Sequence, residues 1–353
     1  FRRGLFFILW DAVYLTVTEQ QSKICRNKIS NIRNEIENNK YYGKDPKTLF
    51  ELLHCIENYL RVILIGKPKE LLKVHNEIKE LFPYAFIEPQ KNEDNPLYDA
   101  VGKIFNYKNF SETKGFVYKL TKKLDINICP YCNREFIFTV SLPDSKNENA
   151  ETECLIRPEL DHYFPQCKYP LLALSFCNLI PAGHICNSNI KHKKELEIGK
   201  HIHPYIKGRA KLQFYTDLKS GKTDSFTDEI NPPEIVIQYR ITKESDDVSN
   251  SEEQIVANTF SFFGLQRIYQ YHIPVAKRIH KIFMAYPPEL INDILNKLKC
   301  DASLKYVTKE KMFEILFSEF DIKAPDNEIL GHLKKDLYCE MHNIYDKIWK
   351  EIE

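Results

Sequence analysis

The sequence predicts an α+β fold, in which a small core of short strands and one helix is embedded between largely helical N- and C-terminal regions. Three observations predict it. Apolar residues recur at helical spacing through residues 1–120, short β-prone runs and a cysteine/histidine cluster fill 121–210, and residues 211–353 open with two alternating segments before helical periodicity returns. These are the three expected domains: helical, cluster-bearing, and a short β-hairpin followed by helices.

The opening FRRGLFFILWDAVYLTV sets two arginines before an apolar run, as a signal peptide does. Asp11 interrupts the run, no small-x-small cleavage site follows, and the stretch is too short to span a bilayer. It reads as a buried helix of a cytoplasmic protein, and the first residue, Phe rather than Met, suggests that residues precede it. In TLFELLHCIENYLRVILIG, Leu49, Leu52, Leu53, Ile56, Leu60 and Ile63 form a helical packing stripe. REFIFTV (134–140) is β-prone, and PDSKNENAETE (143–153) reads as a polar loop. KLQFYTDLK (211–219) and PEIVIQYRITK (233–243) alternate like two strands joined by a loop containing Gly, Asp and Pro. SEEQIVANTF offers a serine and two glutamates as a helix start. The final helix repeats Leu330, Leu333, Leu337, Met341, Ile344 and Ile348, a stripe expected to pack inward, with docking of a partner helix as the alternative.

At 353 residues, with 43% hydrophobic and 28% charged residues, the chain has the composition of an ordinary globular protein. A net charge of +1 favours no class of partner. Locally the balance shifts: residues 160–211 hold eight lysines and arginines against three acids, with five histidines. Such a stretch suits a phosphate-bearing partner, and a solvated face is the plainer alternative. Ten cysteines are too sparse for a disulfide scaffold, and six of them lie between Cys129 and Cys186, which points to metal binding in a reducing compartment.

CPYC (129–132) places two thiols where both reach one tetrahedral zinc. A redox pair would want a thioredoxin-like βαβ context that the flanks do not offer, so zinc is preferred, with Cys186 as a third ligand. Downstream stands Asp161-His162. At a strand end, twist lets the aspartate hold a cation while the histidine addresses a substrate beside it. NLIP (178–181) then leads into HICNSNIKHKK, which reads as a helix opening with Asn187 in its first turn. A carboxylate and an amide oxygen suit Mg2+ or Mn2+ rather than zinc. A neutral histidine beside such an ion is placed to take a proton from water.

In order, CPYC, LDHYFP, NLIP and CN-x-x-x-K resemble the zinc-containing branch of the HNH, or ββα-metal, endonuclease family. The match covers roughly residues 125–205, under a quarter of the chain, and its specificity lies in the ordered set. The resemblance implies a ββα-metal nuclease core that hydrolyses phosphodiester bonds. It makes His162 the general base, Asp161 and Asn187 the holders of one divalent ion, and Asn178 the residue that fixes the loop orienting the histidine. Cysteine pairs brace the hairpin and helix in that branch, here Cys129, Cys132 and Cys186 around a structural Zn2+. Lys168, Lys191, Lys193 and Lys194 become expected nucleic-acid contacts. The run from the DH through YPLLAL to NLIP also resembles nuclease subunits of bacterial anti-phage systems such as Septu, in which the HNH protein accompanies an ATPase. The implied partners are thus nucleic acid, DNA ahead of RNA, and an ATPase subunit of the same defence system. The flanking helical regions would serve partner binding or self-association, and no membrane partner is expected.

The family pattern breaks at Gly183, where a zinc cysteine belongs. His184 can supply an imidazole instead, one of Cys154, Cys167 or Cys177 can fold in, or zinc is absent and packing braces the hairpin. His184 is the favoured choice. His201 and His203, in HIHPY, can reach a metal or phosphate, or can shape a turn ahead of Pro204. The rival to a nuclease is a non-catalytic, zinc-ribbon-like module that binds nucleic acid or an ATPase partner.

Overall fold

The computed structural model describes residues 5–38, 45–91, 93–112, 116–144, 147–206, 210–218, 235–243, 250–299 and 306–352. Helix and strand are mixed, and the chain divides into two units, Phe1–Tyr131 with Phe136–Ile206 and Cys132–Glu135 with Lys207–Glu353. The division expected at residue 120 falls inside the first unit, whereas that expected at 210 lies close to the crossing at Ile206/Lys207.

In the first unit, helices α1 (Leu5–Glu37), α2 (Pro46–Ile65), α3 (Pro68–Leu81), α4 (Pro96–Ile104), α5 (Tyr107–Glu112) and α6 (Phe116–Leu124) precede the strands. The apolar opening run enters α1, but the packing of its side chains lies outside the described residues. Helix α2 starts where Asp45 accepts the Thr48 N–H and Pro46 takes a position that needs no donor. All six apolar residues of its expected stripe are buried. Its C-terminal end braces the segment around Ser175, whose hydroxyl donates to the Ile63 carbonyl.

Strands β1 (Val140–Asp144) and β2 (Asn147–Ile156) form an irregular antiparallel hairpin. The segment expected as a polar loop therefore lies mostly in paired strand, because backbone pairing needs no apolar alternation. Of REFIFTV, only the Ile128–Phe136 bridge and the start of β1 are strand-like. Strands β3 (Glu159–His162) and β4 (Leu179–Ala182) pair antiparallel with Glu159 opposite Ala182 and His162 opposite Leu179. A π-helix, Ile185–Lys191, comes directly after β4.

In the second unit, β5 (Ala210–Leu218) and β6 (Ile235–Lys243) form the expected hairpin, while their connection lies outside the described residues. Helices α7 (Asn250–Phe262), α8 (Leu265–Tyr269), α9 (Ile273–Ala285), α10 (Pro288–Lys299), α11 (Lys309–Leu316) and α12 (Gly331–Ile352) complete it. Side chains cap both outer edges of the hairpin. Asp336 and Glu340, one turn apart on α12, accept the Phe214 and Thr216 N–H groups of β5 at 3.0 and 3.1 Å. Gln270 accepts from Ile237 N and donates to Ile237 O on β6. The buried stripe starts at Leu330, just before α12, runs through Leu333 and Leu337 on the helix and then shifts to Tyr345 and Trp349. Ile344 and Ile348, expected to pack inward, are exposed, because large rings fill the core at this end. Among the described residues no helix is long and apolar enough to cross a membrane.

Candidate functional site

Alternation along β3 places Glu159 and Asp161 on one face, Leu160 and His162 on the other. The segment joining β3 to β4 is held by Asn178, which is fully buried. Its Oδ1 accepts from Phe164 N at 2.6 Å, and its Nδ2 donates to Phe164 O and Leu172 O at 3.2 and 2.8 Å. The residue after Leu172 supplies the carbonyl that orients His162, whose Nε2 lies 3.0 Å from Ala173 O. That carbonyl can only accept, so in neutral His162 the proton sits on Nε2 and the basic lone pair on Nδ1. Tyr107 packs edge-on against the ring, with centroids 4.4 Å apart. Burial holds the His162 pKa below its ordinary value, although Ala173 O and Asp161 pull the other way.

Asp161 is 2% exposed and engaged on both oxygens. Lys191 Nζ donates to Oδ1 at 2.8 Å and the Tyr131 hydroxyl to Oδ2 at 2.6 Å. Glu159, two residues earlier, accepts from Asn187 Nδ2 at 2.9 Å and Ser188 Oγ at 2.7 Å, and pairs with His184 Nδ1 at 2.6 Å. Burial pushes the Glu159 carboxyl up, but these three partners outweigh it and hold the pKa below the usual range. The π-helix puts Asn187, Ser188 and Lys191 on one side, facing the acidic face of β3. One open cleft of about 480 Å3 is lined by Tyr107, Arg157, Glu159, Asp161, His162, Asn187, Lys191 and Lys193, among others.

This donor set fits a hard divalent ion. Asp161, Glu159 and Asn187 bring oxygens to the same cleft, and each Asp161 oxygen retains acceptor capacity beyond its single bond. Asn187 turns its nitrogen to Glu159, which leaves its carbonyl oxygen as the atom that can meet a cation.

Cys129, Cys132 and Cys186 are buried, with sulfurs all within 4.8 Å of one another, and this cluster could bind a metal. Tetrahedral zinc with Zn–S bonds near 2.3 Å sets its sulfurs about 3.8 Å apart, so three thiolates fit three of its corners. His184 lies outside this trio of sulfurs: its side chain is exposed, and its Nδ1 stands 2.6 Å from Glu159 Oε1. Cys177 is buried elsewhere, near Glu70, with its thiol pushed up to about 12 by burial, and Cys167 is exposed. The side chain of Cys154 lies outside the described residues.

The expected nucleic-acid contacts separate. Lys168, Lys193 and Lys194 are exposed, with Lys168 paired to Glu195 at 2.6 Å. Lys191 is 1% exposed and cannot meet a phosphate where it stands, because Asp161 and the His162 carbonyl hold its ammonium inside. His203 is buried between the Tyr205 N–H and the Cys177 carbonyl, so in HIHPY it shapes the turn. His201 likewise accepts from Glu197 N. Sequence reasoning missed Glu159, Tyr131, Arg157 and Tyr107. Only Glu159 left a signal, as a second carboxylate at strand spacing from Asp161. No family model matches the chain, and no curated protein and no solved structure matches it.

Proposed function

We propose that the cleft is the catalytic site of a metal-dependent endonuclease that hydrolyses phosphodiester bonds, DNA ahead of RNA. One observation carries the reading: Asp161 and His162, adjacent at the end of β3, and Asn187, on the helix after β4, all line one cleft. The order of strand, antiparallel strand and helix supports a ββα-metal core.

His162 is the general base. Ala173 O fixes its ring through Nε2, Asn178 fixes the loop carrying Ala173, and burial keeps the imidazole neutral, so Nδ1 can accept a proton from water. Asp161 and Asn187 would hold one Mg2+ or Mn2+, which supplies Lewis-acid stabilisation of the phosphoryl charge and the leaving oxygen. Lys193 and Arg157 line the cleft and offer positive charge to the flanking phosphates. The thiol cluster, with Zn2+ as the metal it suits best, braces the core. A cytoplasmic role as the nuclease effector of a defence system, working with an ATPase, extends the same reading.

The non-catalytic binding module has one observation in its favour, since Asp161 is already neutralised within the fold by Lys191. Plasmid incubated with the protein and Mg2+ or Mn2+ separates the two. A nuclease nicks or linearises it and the His162→Ala variant does not, whereas a binding module retards plasmid without cutting.

A further inference from the structure

The nuclease reading leaves Lys191 unused. Its ammonium is 1% exposed, donates to Asp161 Oδ1 at 2.8 Å and to the His162 carbonyl at 2.7 Å, and stands four residues after Asn187. A buried ammonium persists only where a countercharge and acceptors replace its water, and Asp161 with the His162 carbonyl supplies both. The carboxylate assigned to the divalent ion therefore already carries a cation that the chain provides.

We propose that Lys191 is a built-in competitor for the divalent ion at Asp161, so that loading displaces its ammonium from Oδ1 and the metal-free site stays charge-balanced. The inference rests on the nuclease reading. Two like charges a few ångströms apart in a partly buried site repel strongly, so ion and ammonium cannot both sit on Asp161 without a penalty to the ion. Lys191 thereby weakens metal binding in the absence of substrate. The phosphate of a bound strand then offers the released ammonium a second anion, which links loading to the presence of nucleic acid.

The test measures Mn2+ binding to the zinc-loaded full chain by paramagnetic resonance, in wild type, Asp161→Asn, Lys191→Met and the double variant. Lys191→Met should bind Mn2+ at least about tenfold more tightly than wild type, with Asp161→Asn and the double variant abolishing this site. Without the ion, Lys191→Met should melt below wild type, because its Asp161 charge is uncompensated, and Mn2+ should raise its melting temperature more than that of wild type. A measurement on the wild type alone accompanies these. An amine-reactive reagent followed by mass spectrometry should find Lys191 protected without Mn2+ and labelled several-fold faster with it.

Equal or weaker Mn2+ affinity in Lys191→Met, with the site still lost in Asp161→Asn, overturns the competitor role and leaves the nuclease reading standing. So does a Lys191 that stays protected in wild type at saturating Mn2+, even if no variant folds. Absence of any Asp161-dependent Mn2+ site in wild type, with substrate or without, removes the nuclease reading and this inference together.

Discussion

The hydroxyl of Tyr131 donates to Asp161 Oδ2 at 2.6 Å, so one of the two residues between the cysteines of CPYC directly holds the carboxylate assigned to the catalytic ion. Tyr131 thus links the thiol cluster to the cleft, beside the link through Cys186 and Asn187, neighbours on the π-helix. Tyr131 is buried, and burial together with the neighbouring Asp161 charge raises its pKa well above the ordinary phenol value, so it remains a donor throughout the working pH range.

Tyr131→Phe removes that bond and keeps the ring. A hydrogen bond to a charged group contributes about 1.5–3 kcal/mol, so cleavage at saturating substrate should slow by roughly ten- to a hundredfold. Zinc content and substrate affinity should stay near wild type. Single-turnover cleavage beside elemental analysis checks this, and a fall in zinc would place the effect in the brace instead.

Elemental analysis of the purified chain should find about one zinc per molecule, and Cys186→Ser should lose it. Structural zinc contributes on the order of 10 kcal/mol in small zinc peptides, so the variant should melt well below wild type. Zinc near zero in the wild-type chain would leave the brace to packing alone.

Asn178→Ala orphans the buried Phe164 N–H and the Phe164 carbonyl, and leaves the Leu172 carbonyl with the Ser175 N–H alone. The expected cost is about 2–4 kcal/mol, read as a lower urea midpoint at unchanged slope. Asn178→Asp keeps the acceptor for Phe164 N but turns a buried carboxylate oxygen toward both carbonyls, and should destabilise at least as much as Asn178→Ala.

His203 and His75 set a pH window for stability. Burial lowers each to about 4, His203 among backbone partners and His75 between Phe86 and Tyr169. An unfolded histidine titrates near 6.5, so between about pH 6.5 and 4 the unfolded chain binds more protons and stability falls as pH falls. Above about 6.5 the contribution is fully present, and below about 4 the loss levels off. It amounts to on the order of 3 kcal/mol for each histidine. Urea midpoints between pH 7 and 4 should fall less steeply in His203→Gln than in wild type.

How much the sequence made legible depends on what each pattern demands. The α2 stripe and the β5–β6 alternation were readable because periodicity reports which face is covered. Asp161, His162, Asn178 and Asn187 stand out in the sequence as an ordered set of chemistry-bearing residues, and the fold brings Asp161, His162 and Asn187 to one cleft. Lys191 was misplaced because its type and its basic neighbours suggest solvent, whereas only the fold shows a carboxylate and a carbonyl positioned to receive it. His184 stands beside Gly183 in the sequence, but only the fold shows that Glu159 on the neighbouring strand engages its Nδ1. Tyr131 could not be found at all, since nothing in a CPYC turn says where its phenol points. Ile344 and Ile348 repeat correctly, yet Tyr345 and Trp349 take the core because larger rings fill it better.

His162, held through Nε2 by Ala173 O, is proposed to take a proton from water at Nδ1. Single-turnover cleavage of DNA with Mg2+ or Mn2+, compared between wild type and His162→Ala, decides this. The expected result is cleavage by wild type and a loss of roughly 10²–10⁴-fold in the variant, with DNA affinity retained. Cleavage by His162→Ala at the wild-type rate would contradict it.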